Sequence, residues 1–229
     1  MTRSLLRKVL EIVIHPTGAS RIASKQPNRY DTLHRVFEND TKCKRNILEV
    51  GTYNGNTAIA LINIARRYES IETIHYYGFD LFEDLDNITL SRETSKKPTR
   101  TREQVKDFIV SKTGIVPEHV HLHKGFTQTT LWSSLRNLPK MDFIFIDGGH
   151  SFETVDNDWR ACSELIAPGT VVVFDDYYHF EHGPRLVVDR LDKAIYAIEI
   201  LEPQDVFQDR FGISKDGVLK INMVNVKLK

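Results

Sequence analysis

The chain has 229 residues, of which 41% are hydrophobic and 27% are charged, a balance typical of globular domains rather than of disordered or fibrous chains. Lysine and arginine together number 31, as do aspartate and glutamate, so the formal net charge is zero and no nucleic-acid partner is expected. Cys43 and Cys162 have neither metal-binding spacing nor a disulfide framework, which is typical of a cytoplasmic protein.

Basic and apolar residues are mixed near the start of the chain, between Arg3 and Ile14. This run is shorter than the roughly 20 apolar residues that span a bilayer, and Glu11 interrupts it, so we expect neither a stable membrane insertion nor a signal peptide. We predict instead an amphipathic helix in an N-terminal segment of residues 1–40. That helix would pack on the core or on a partner subunit of a homo-oligomer, or it would contact a membrane surface.

Between residues 41 and 229, short apolar runs alternate with helical patterns and predict a single α/β domain. Continuous apolar runs of this length are typical of strands covered on both faces, and strands separated by helices are typical of parallel sheets. The predicted strands are 46–50, 74–79, 120–123, 143–146, 171–174, 197–201 and 218–226. The predicted helices lie near 57–68, 102–112, 130–137 and 152–165, with one more after Pro184 and a short one near 30–37 ahead of the domain.

The last two predicted strands have no clear helix between them, which predicts a hairpin with one antiparallel strand. The expected fold is therefore a doubly wound, mostly parallel seven-stranded sheet of the Rossmann-like type. One long irregular stretch, residues 83–100, is rich in polar residues and follows a strand directly. Irregular loops of this length are usually functional or disordered, and we interpret this one as a lid or substrate loop.

A glycine turn follows the first predicted strand and opens a helix. Glycine lets the backbone approach a ligand, and the free amides of a helix start favour an anionic group. The G-x-G-x-x-G pattern of nicotinamide-binding loops is missing, since Gly51 and Gly55 flank Tyr53. Glu49, just before the glycines, would repel phosphates but would suit a ligand with an ammonium group.

The next two strand ends also carry polar residues. Asp80 ends the second predicted strand, where a carboxylate can accept hydrogen bonds from both hydroxyls of a ribose. The alternative is that Asp80 is a solvated carboxylate without a ligand. Gly125 and Thr127 follow the third predicted strand and would border an adenine ring.

Three aspartates follow the fourth and fifth predicted strands: Asp147, Asp175 and Asp176. If these strands are neighbours, their ends lie roughly 5 Å apart, so the carboxylates converge. Unpaired carboxylates in one pocket would repel each other, and a divalent cation with oxygen ligands removes that conflict. The sequence therefore predicts a site for a divalent metal ion here, with helix or loop capping by single aspartates as the alternative.

Together these segments resemble class I S-adenosylmethionine-dependent methyltransferases, and within them the O-methyltransferase branch of the macrocin and antibiotic-sugar enzymes. The resemblance covers residues 46–178, and its most specific parts are Ile146-Asp147-Gly148-Gly149-His150-Ser151-Phe152-Glu153 and the segments 167–170 and 174–177. It implies S-adenosylmethionine as methyl donor, magnesium as a second cofactor, and a small-molecule acceptor. The acceptor implied is a hydroxyl of a sugar or of a glycosylated metabolite.

The resemblance also implies roles for individual residues. The methionine end of the cofactor would be lined by Glu49, Gly51, Tyr53 and Gly55, and the ribose would be held by Asp80. The magnesium ligands would be Asp147, Asp175 and Asp176. The chain departs from the family pattern near Asn56, where a third small residue is usual.

His150 and Asp147 are the catalytic candidates. His150 comes three residues after Asp147, where some enzymes of that branch place the catalytic base, and a structural role at a helix start is the alternative. A metal-bound hydroxyl would lose its proton more readily, and the imidazole would accept that proton. Other functions stay open: a phenolic or peptide acceptor, an NAD-dependent oxidoreductase, or a non-catalytic methyltransferase-like module.

Overall fold

The computed structural model describes residues 28–93, 97–209 and 217–229. The amphipathic helix predicted between Arg3 and Ile14 lies outside these residues, so its packing on the core or on a partner stays a prediction. Within the described ranges, no helix has the length and apolarity needed to cross a membrane.

One sheet organises the part of the chain that the structure describes. Its strands are β1 (Asn46–Val50), β2 (His75–Asp80), β3 (Val120–Lys124), β4 (Phe143–Ile146), β5 (Val171–Tyr178), β6 (Tyr196–Gln208) and β7 (Val218–Leu228). Their order is β3-β2-β1-β4-β5-β7-β6, and β7 alone runs in the direction opposite to the other six strands. This confirms the predicted seven-stranded, mostly parallel sheet with one antiparallel strand near the C-terminus.

Helices connect the strands and cover both faces of the sheet. They are α1 (Arg29–Asp40), α2 (Asn56–Ala65), α3 (Asn87–Arg92), α4 (Arg102–Thr113), α5 (Thr127–Ser134), α6 (Phe152–Ser163) and α7 (Gly183–Val188). Helix α3 falls within residues 83–100, which were predicted to be irregular. Asp86 caps it by accepting a hydrogen bond from the Thr89 amide at 2.7 Å.

The side chains of the central strands alternate between two apolar layers. On one face, Ile47 and Phe143 pack with residues of α1, α2 and α4. On the other face, Leu48 and Ile144 pack with residues of α5, α6 and α7. Because chain order reverses between β1 and β4, the carboxyl ends of these strands flank a crevice of the kind in which α/β proteins bind ligands.

Candidate functional site

A cavity of about 280 Å³ opens at the carboxyl ends of β1, β2, β3 and β4. Eight of the residues singled out from the sequence line it: Gly51, Tyr53, Asp80, Gly125, Thr127, Asp147, His150 and Asp176. The fold therefore brings together residues that lie as much as 125 positions apart, from 51 to 176, in one concave site.

The turn after β1 passes very close to the end of β4. Gly51 has a φ of +91°, and a Cβ added there would lie 1.9 Å from the carbonyl oxygen of Asp147. The Gly51 amide also donates a hydrogen bond to the carbonyl of Phe79 at 2.8 Å. Only glycine fits this close approach, which joins the ends of three strands at the floor of the cavity.

Glu49 and Gly55 do not lie on the cavity wall, in contrast to their predicted place at the methionine end of a cofactor. Glu49 is 1% exposed and accepts a hydrogen bond from the hydroxyl of Tyr76. Burial raises the pKa of Glu49 to about 8, so at neutral pH it presents no full negative charge to an ammonium group. Gly55 begins α2 with a φ of +81° and faces Val105 of α4.

Asp80 lies on the cavity wall in a fixed orientation. Its Oδ2 accepts a hydrogen bond from the Tyr53 amide and its Oδ1 accepts one from the Phe82 amide, each at 2.7 Å. Burial raises the pKa of Asp80, and the two amides act in the opposite direction by stabilising the charged form. Each oxygen keeps a lone pair for a further donor, which is what a pair of ribose hydroxyls requires.

Asp147, Asp175 and Asp176 converge as predicted, and an arginine from α1 reaches into the cluster. Arg29 donates from Nε to Asp175 Oδ1 at 2.7 Å, and from Nη2 to Asp175 Oδ2 at 3.0 Å and to Asp176 Oδ1 at 3.2 Å. Its Nη1 donates to Asp205 at 3.2 Å. This fork of donors supplies a buried positive charge that the sequence did not predict.

A bulge in β5 explains how two successive aspartates bind the same arginine. Side chains of a regular strand alternate between faces, so Asp175 and Asp176 would point apart. The pairing of β5 with β7 shifts register between Phe174 and Tyr177, and Asp176 has a φ of +53°. A left-handed backbone at a non-glycine residue costs roughly 1–3 kcal/mol and is concentrated at functional sites.

Tyr30, beside Arg29 on α1, joins Asp147 to Asp175. Its hydroxyl oxygen lies 3.0 Å from Asp175 Oδ2 and 3.2 Å from Asp147 Oδ2. Burial and the neighbouring Asp175 and Asp176 raise the pKa of Asp147 well above its ordinary value. The positive charge of Arg29 therefore does not balance the negative charges of the three aspartates.

His150 is held at both ring nitrogens. Its Nδ1 lies 2.6 Å from the carbonyl oxygen of Glu93, and its Nε2 lies 2.6 Å from Asp176 Oδ2. A carbonyl oxygen only accepts, so Nδ1 carries a hydrogen and Nε2 faces the acidic cluster. Burial alone would lower the pKa of His150, but the nearby Asp176 carboxylate raises it above the ordinary value. Burial alone would raise the pKa of Asp176, and the nearby His150 and Arg29 outweigh that effect and lower it.

Three residues of this cluster could hold a metal ion together. Asp147, His150 and Asp176 each offer one ligand atom, and these atoms lie within 4.8 Å of one another. Asp175 is not in this set, although it was predicted as a ligand. Its two oxygens are bound by Arg29, and one of them also by Tyr30.

Arg29, Tyr30 and Glu93 are the site residues that the sequence did not predict. A helix was expected near residues 30–37, but no local pattern predicts that its first turn crosses the carboxyl edge of the sheet. The only available signal was electrostatic, since three converging aspartates require a cation. Glu93 lies in the stretch that was predicted to be irregular.

Comparison with known proteins identifies relatives. A family profile described as a methyltransferase domain matches residues 48–177. The O-methyltransferase TomG from Streptomyces achromogenes, solved in complex with SAM, superposes with a TM-score of 0.57 at 14% identity, covering 100% of this chain and 91% of that one. The O-methyltransferase from Bacillus cereus, solved in complex with SAH, gives a TM-score of 0.57 at 17% identity, covering 100% and 92%.

Two further relatives extend this comparison. An rRNA methylase from Streptococcus thermophilus superposes with a TM-score of 0.56 at 12% identity, covering 90% of this chain and 100% of that one. "Uncharacterized protein R132" of Acanthamoeba polyphaga mimivirus is 29% identical over 80 residues, 34% of this chain and 36% of that protein. This match thus spans about a third of the curated relative. At such identities the superpositions establish a shared fold.

Proposed function

The chain belongs to the methyltransferase-domain family whose profile matches residues 48–177, and from this premise we propose that it transfers a methyl group from S-adenosylmethionine to a hydroxyl oxygen of a small molecule. The observation that carries the proposal is the single cavity lined by Asp80 at one end and by the His150–Asp176 pair at the other. A methyl donor and an acidic proton-accepting cluster can therefore share one site.

We assign the donor to the part of the cavity at the ends of β1, β2 and β3. Asp80 would accept hydrogen bonds from the ribose hydroxyls, and Gly125 and Thr127 would border the adenine. Gly51 and Tyr53 would contact the methionine end. The bound SAM and SAH in the two superposed O-methyltransferases support this choice of cofactor.

We assign the acceptor to the end of the cavity formed by His150, Asp147 and Asp176. Methyl transfer from a sulfonium requires an oxygen nucleophile aligned behind the methyl group. The acceptor hydroxyl loses its proton as it attacks. The neutral form of His150, whose one ring hydrogen stays on Nδ1, would take that proton at Nε2. The 2.6 Å contact between Nε2 and Asp176 Oδ2 corresponds to the imidazolium form, which this carboxylate would stabilise once the proton has been transferred.

Magnesium fits the oxygen donors of this cluster. Asp147 is short of positive charge even beside Arg29, and Asp176 offers a second carboxylate within reach. We therefore propose Asp147 and Asp176 as the ligands, with Asp175 holding Arg29 behind them. We assign His150 to the proton and not to the metal, because magnesium prefers oxygen. When bound, the ion would lower the pKa of the acceptor hydroxyl.

The acceptor class is proposed from the resemblance to the antibiotic-sugar enzymes: a hydroxyl of a sugar or of a glycosylated metabolite. The formal net charge of zero favours a small molecule over nucleic acid, because phosphate binding normally needs a basic excess. Phenolic and peptide hydroxyls use the same chemistry and are therefore included in the test.

An assay with S-adenosylmethionine labelled in its methyl group tests the function and the metal together. Sugar, phenolic and peptide acceptors are each incubated with the full chain, with magnesium or with a chelator. We expect label in a base-stable ether, no transfer in chelator, and recovery when magnesium is added back. Asp147→Asn should stay folded but fail to recover, whereas the exposed Asp84→Asn should behave like the parent.

Two outcomes would contradict the proposal. Full activity in chelator would remove the metal from the mechanism. Label released by base as methanol would indicate a carboxylate acceptor instead of a hydroxyl, since methyl esters hydrolyse and methyl ethers do not. Absence of transfer to all three acceptor classes, in a protein that retains its folded spectrum, would argue against the proposed reaction.

A further inference from the structure

Glu93 binds both the backbone and the ring of His150, although it lies 57 residues earlier in the chain. Its carboxylate accepts a hydrogen bond from the His150 amide at 3.0 Å, and its own carbonyl oxygen lies 2.6 Å from Nδ1 of the ring. The residue is 5% exposed, so these contacts are shielded from water. One residue thus restrains the only side chain that we propose as the proton acceptor.

The carboxylate of Glu93 also caps the start of α6. It accepts hydrogen bonds from the Ser151 amide at 2.9 Å, from the Ser151 hydroxyl at 3.0 Å and from the Thr154 hydroxyl at 2.9 Å. An anion at a helix N-terminus is favoured by the helix dipole and by the free amides there. Burial raises the pKa of Glu93, but the hydrogen bonds from Ser151 and Thr154 outweigh that effect and lower it.

Gly149 makes room for this carboxylate. A Cβ added at Gly149 would lie 2.6 Å from Glu93 Oε2 and 2.7 Å from the side chain of Thr154. Any larger residue would push Glu93 away from the His150 amide. The second glycine of the Asp147-Gly148-Gly149-His150 segment is therefore explained by Glu93.

We propose that Glu93 is a positioning residue that fixes the ring orientation and tautomer of His150. The carbonyl of Glu93 keeps the hydrogen on Nδ1, and its carboxylate fixes the backbone from which the ring extends. Nε2 is then left facing the acidic cluster, where the acceptor hydroxyl would bind. This inference rests on the proposed function, because it assigns Glu93 a role in that reaction through His150.

The same segment also forms part of the cavity wall. Leu85, Thr89 and Arg92 line the cavity just before Glu93, and Arg92 Nε donates to Glu93 Oε1 at 2.9 Å. The wall that would contact the acceptor and the group that orients the base are therefore parts of one short stretch of chain. A substitution of Leu85, Thr89 or Arg92 would therefore alter the orientation of His150 through Glu93.

Glu93→Gln and Glu93→Ala test the inference, with Glu103→Gln as a matched control because Glu103 is exposed on α4. NMR of ¹⁵N-histidine-labelled protein reports which ring nitrogens of His150 carry a hydrogen. The signals of His150 are assigned by their loss in His150→Gln. In the parent and in Glu103→Gln we expect Nδ1 to carry a slowly exchanging hydrogen. In both Glu93 variants we expect this hydrogen to exchange rapidly and the tautomer to become mixed.

The kinetic expectation is a fall in kcat of about 10- to 100-fold in the Glu93 variants, with the KM for S-adenosylmethionine within about threefold of the parent. A purely structural role would instead lower thermal stability and leave the His150 spectrum and the rate per folded molecule unchanged, and that result would overturn the inference. If Glu93→Ala and Glu93→Gln lose their folded spectra, Glu93→Asp keeps the charge and gives the same readout.

The NMR measurement separates this inference from the proposed function. If the parent transfers no methyl group, the proposed function fails, but the tautomer of His150 is still measured. If the parent transfers methyl groups and the Glu93 variants keep its spectrum and kcat, only the positioning role fails.

Discussion

Replacing His150 with alanine is expected to lower the rate of methyl transfer by about 10²–10⁴-fold, the usual contribution of a positioned proton acceptor. In the neutral ring the single hydrogen is held on Nδ1 by the carbonyl of Glu93, so Nε2 is the nitrogen that accepts a proton at the acidic cluster. Affinity for S-adenosylmethionine should not change, because the imidazole contacts Asp176 and not the proposed ribose site at Asp80. Rate and affinity are measured on the same purified variant.

His179→Ala is the matched control for this experiment. His179 follows the acidic pair but is exposed and contacts the backbone of Lys220 on β7, so its loss should leave the rate unchanged. If His150→Ala transfers methyl groups within threefold of the parent rate per folded molecule, His150 is not the base. The buried His182, whose ring centroid lies 5.8 Å from that of His150, then becomes the residue to test.

Replacing Arg29 with methionine is expected to lower the free energy of unfolding by about 3–5 kcal/mol. Arg29 is 13% exposed in its side chain and is the arginine that binds Asp175, Asp176 and Asp205. Its removal leaves buried carboxylates without a counter-charge, which costs more than the ion pair itself contributes. Urea unfolding of the parent and the variant measures the difference.

A double variant and a substitution of a neighbouring arginine test whether the loss of stability comes from the missing charge of Arg29. Asp175→Asn combined with Arg29→Met should recover part of the lost stability, because it removes one of the uncompensated charges. Arg35→Met, on the same helix, removes an exposed hydrogen bond from Nη2 to the Glu202 carbonyl at 2.7 Å but no buried ion pair, so it should lower the free energy of unfolding by only about 1 kcal/mol. An Arg29→Met variant as stable as the parent would show that the cluster does not depend on this cation.

The strand pattern could be predicted from the sequence because each central strand is a short, continuous apolar run. Residues 46–50 and 143–146 were predicted as strands, and both have these bounds in the structure. Such runs reflect burial on both faces, which is a local property of the sequence. The antiparallel strand near the C-terminus could also be predicted, since no helical pattern separates the last two apolar runs of the sequence.

Helix α3 could not be predicted, because it has six residues and too few apolar positions to form a periodic pattern. Its contribution to the site comes through Glu93 at its end, whose partners lie 57 to 61 residues later in the chain. Contacts at such separations depend on the sheet topology and leave no local signal. The interpretation of residues 83–100 as a lid or substrate loop stays a prediction.

The position of Glu49 outside the cavity wall has a reason that the sequence contains. Leu48 and Val50 point to the layer of α6, so Glu49 must point with Ile47 to the opposite layer. This alternation places its carboxyl group beneath the turn, against Tyr76, and not in the cavity. Strand alternation could therefore have predicted this position of Glu49, and its place at the methionine end of a cofactor stays a prediction.

The need for a cation beside Asp147, Asp175 and Asp176 could be predicted, but its source could not. Converging carboxylates require positive charge whatever supplies it. A metal was the expected source, and the structure brings Arg29 from α1 to the same carboxylates. The sequence predicted a domain boundary after residue 40. Helix α1 lies before that boundary, and two of its residues, Arg29 and Tyr30, belong to the site.

Calorimetric titration of S-adenosylhomocysteine tests whether the Asp80 end of the cavity binds the methyl donor. We predict that the parent and the exposed Asp84→Ala bind it equally and that NAD produces no binding heat. Asp80→Ala should bind it more weakly by about 1–3 kcal/mol, or roughly 5- to 150-fold in Kd, because the ribose hydroxyls lose their acceptors. Unchanged affinity in Asp80→Ala, or binding of NAD in place of S-adenosylhomocysteine, would contradict the account.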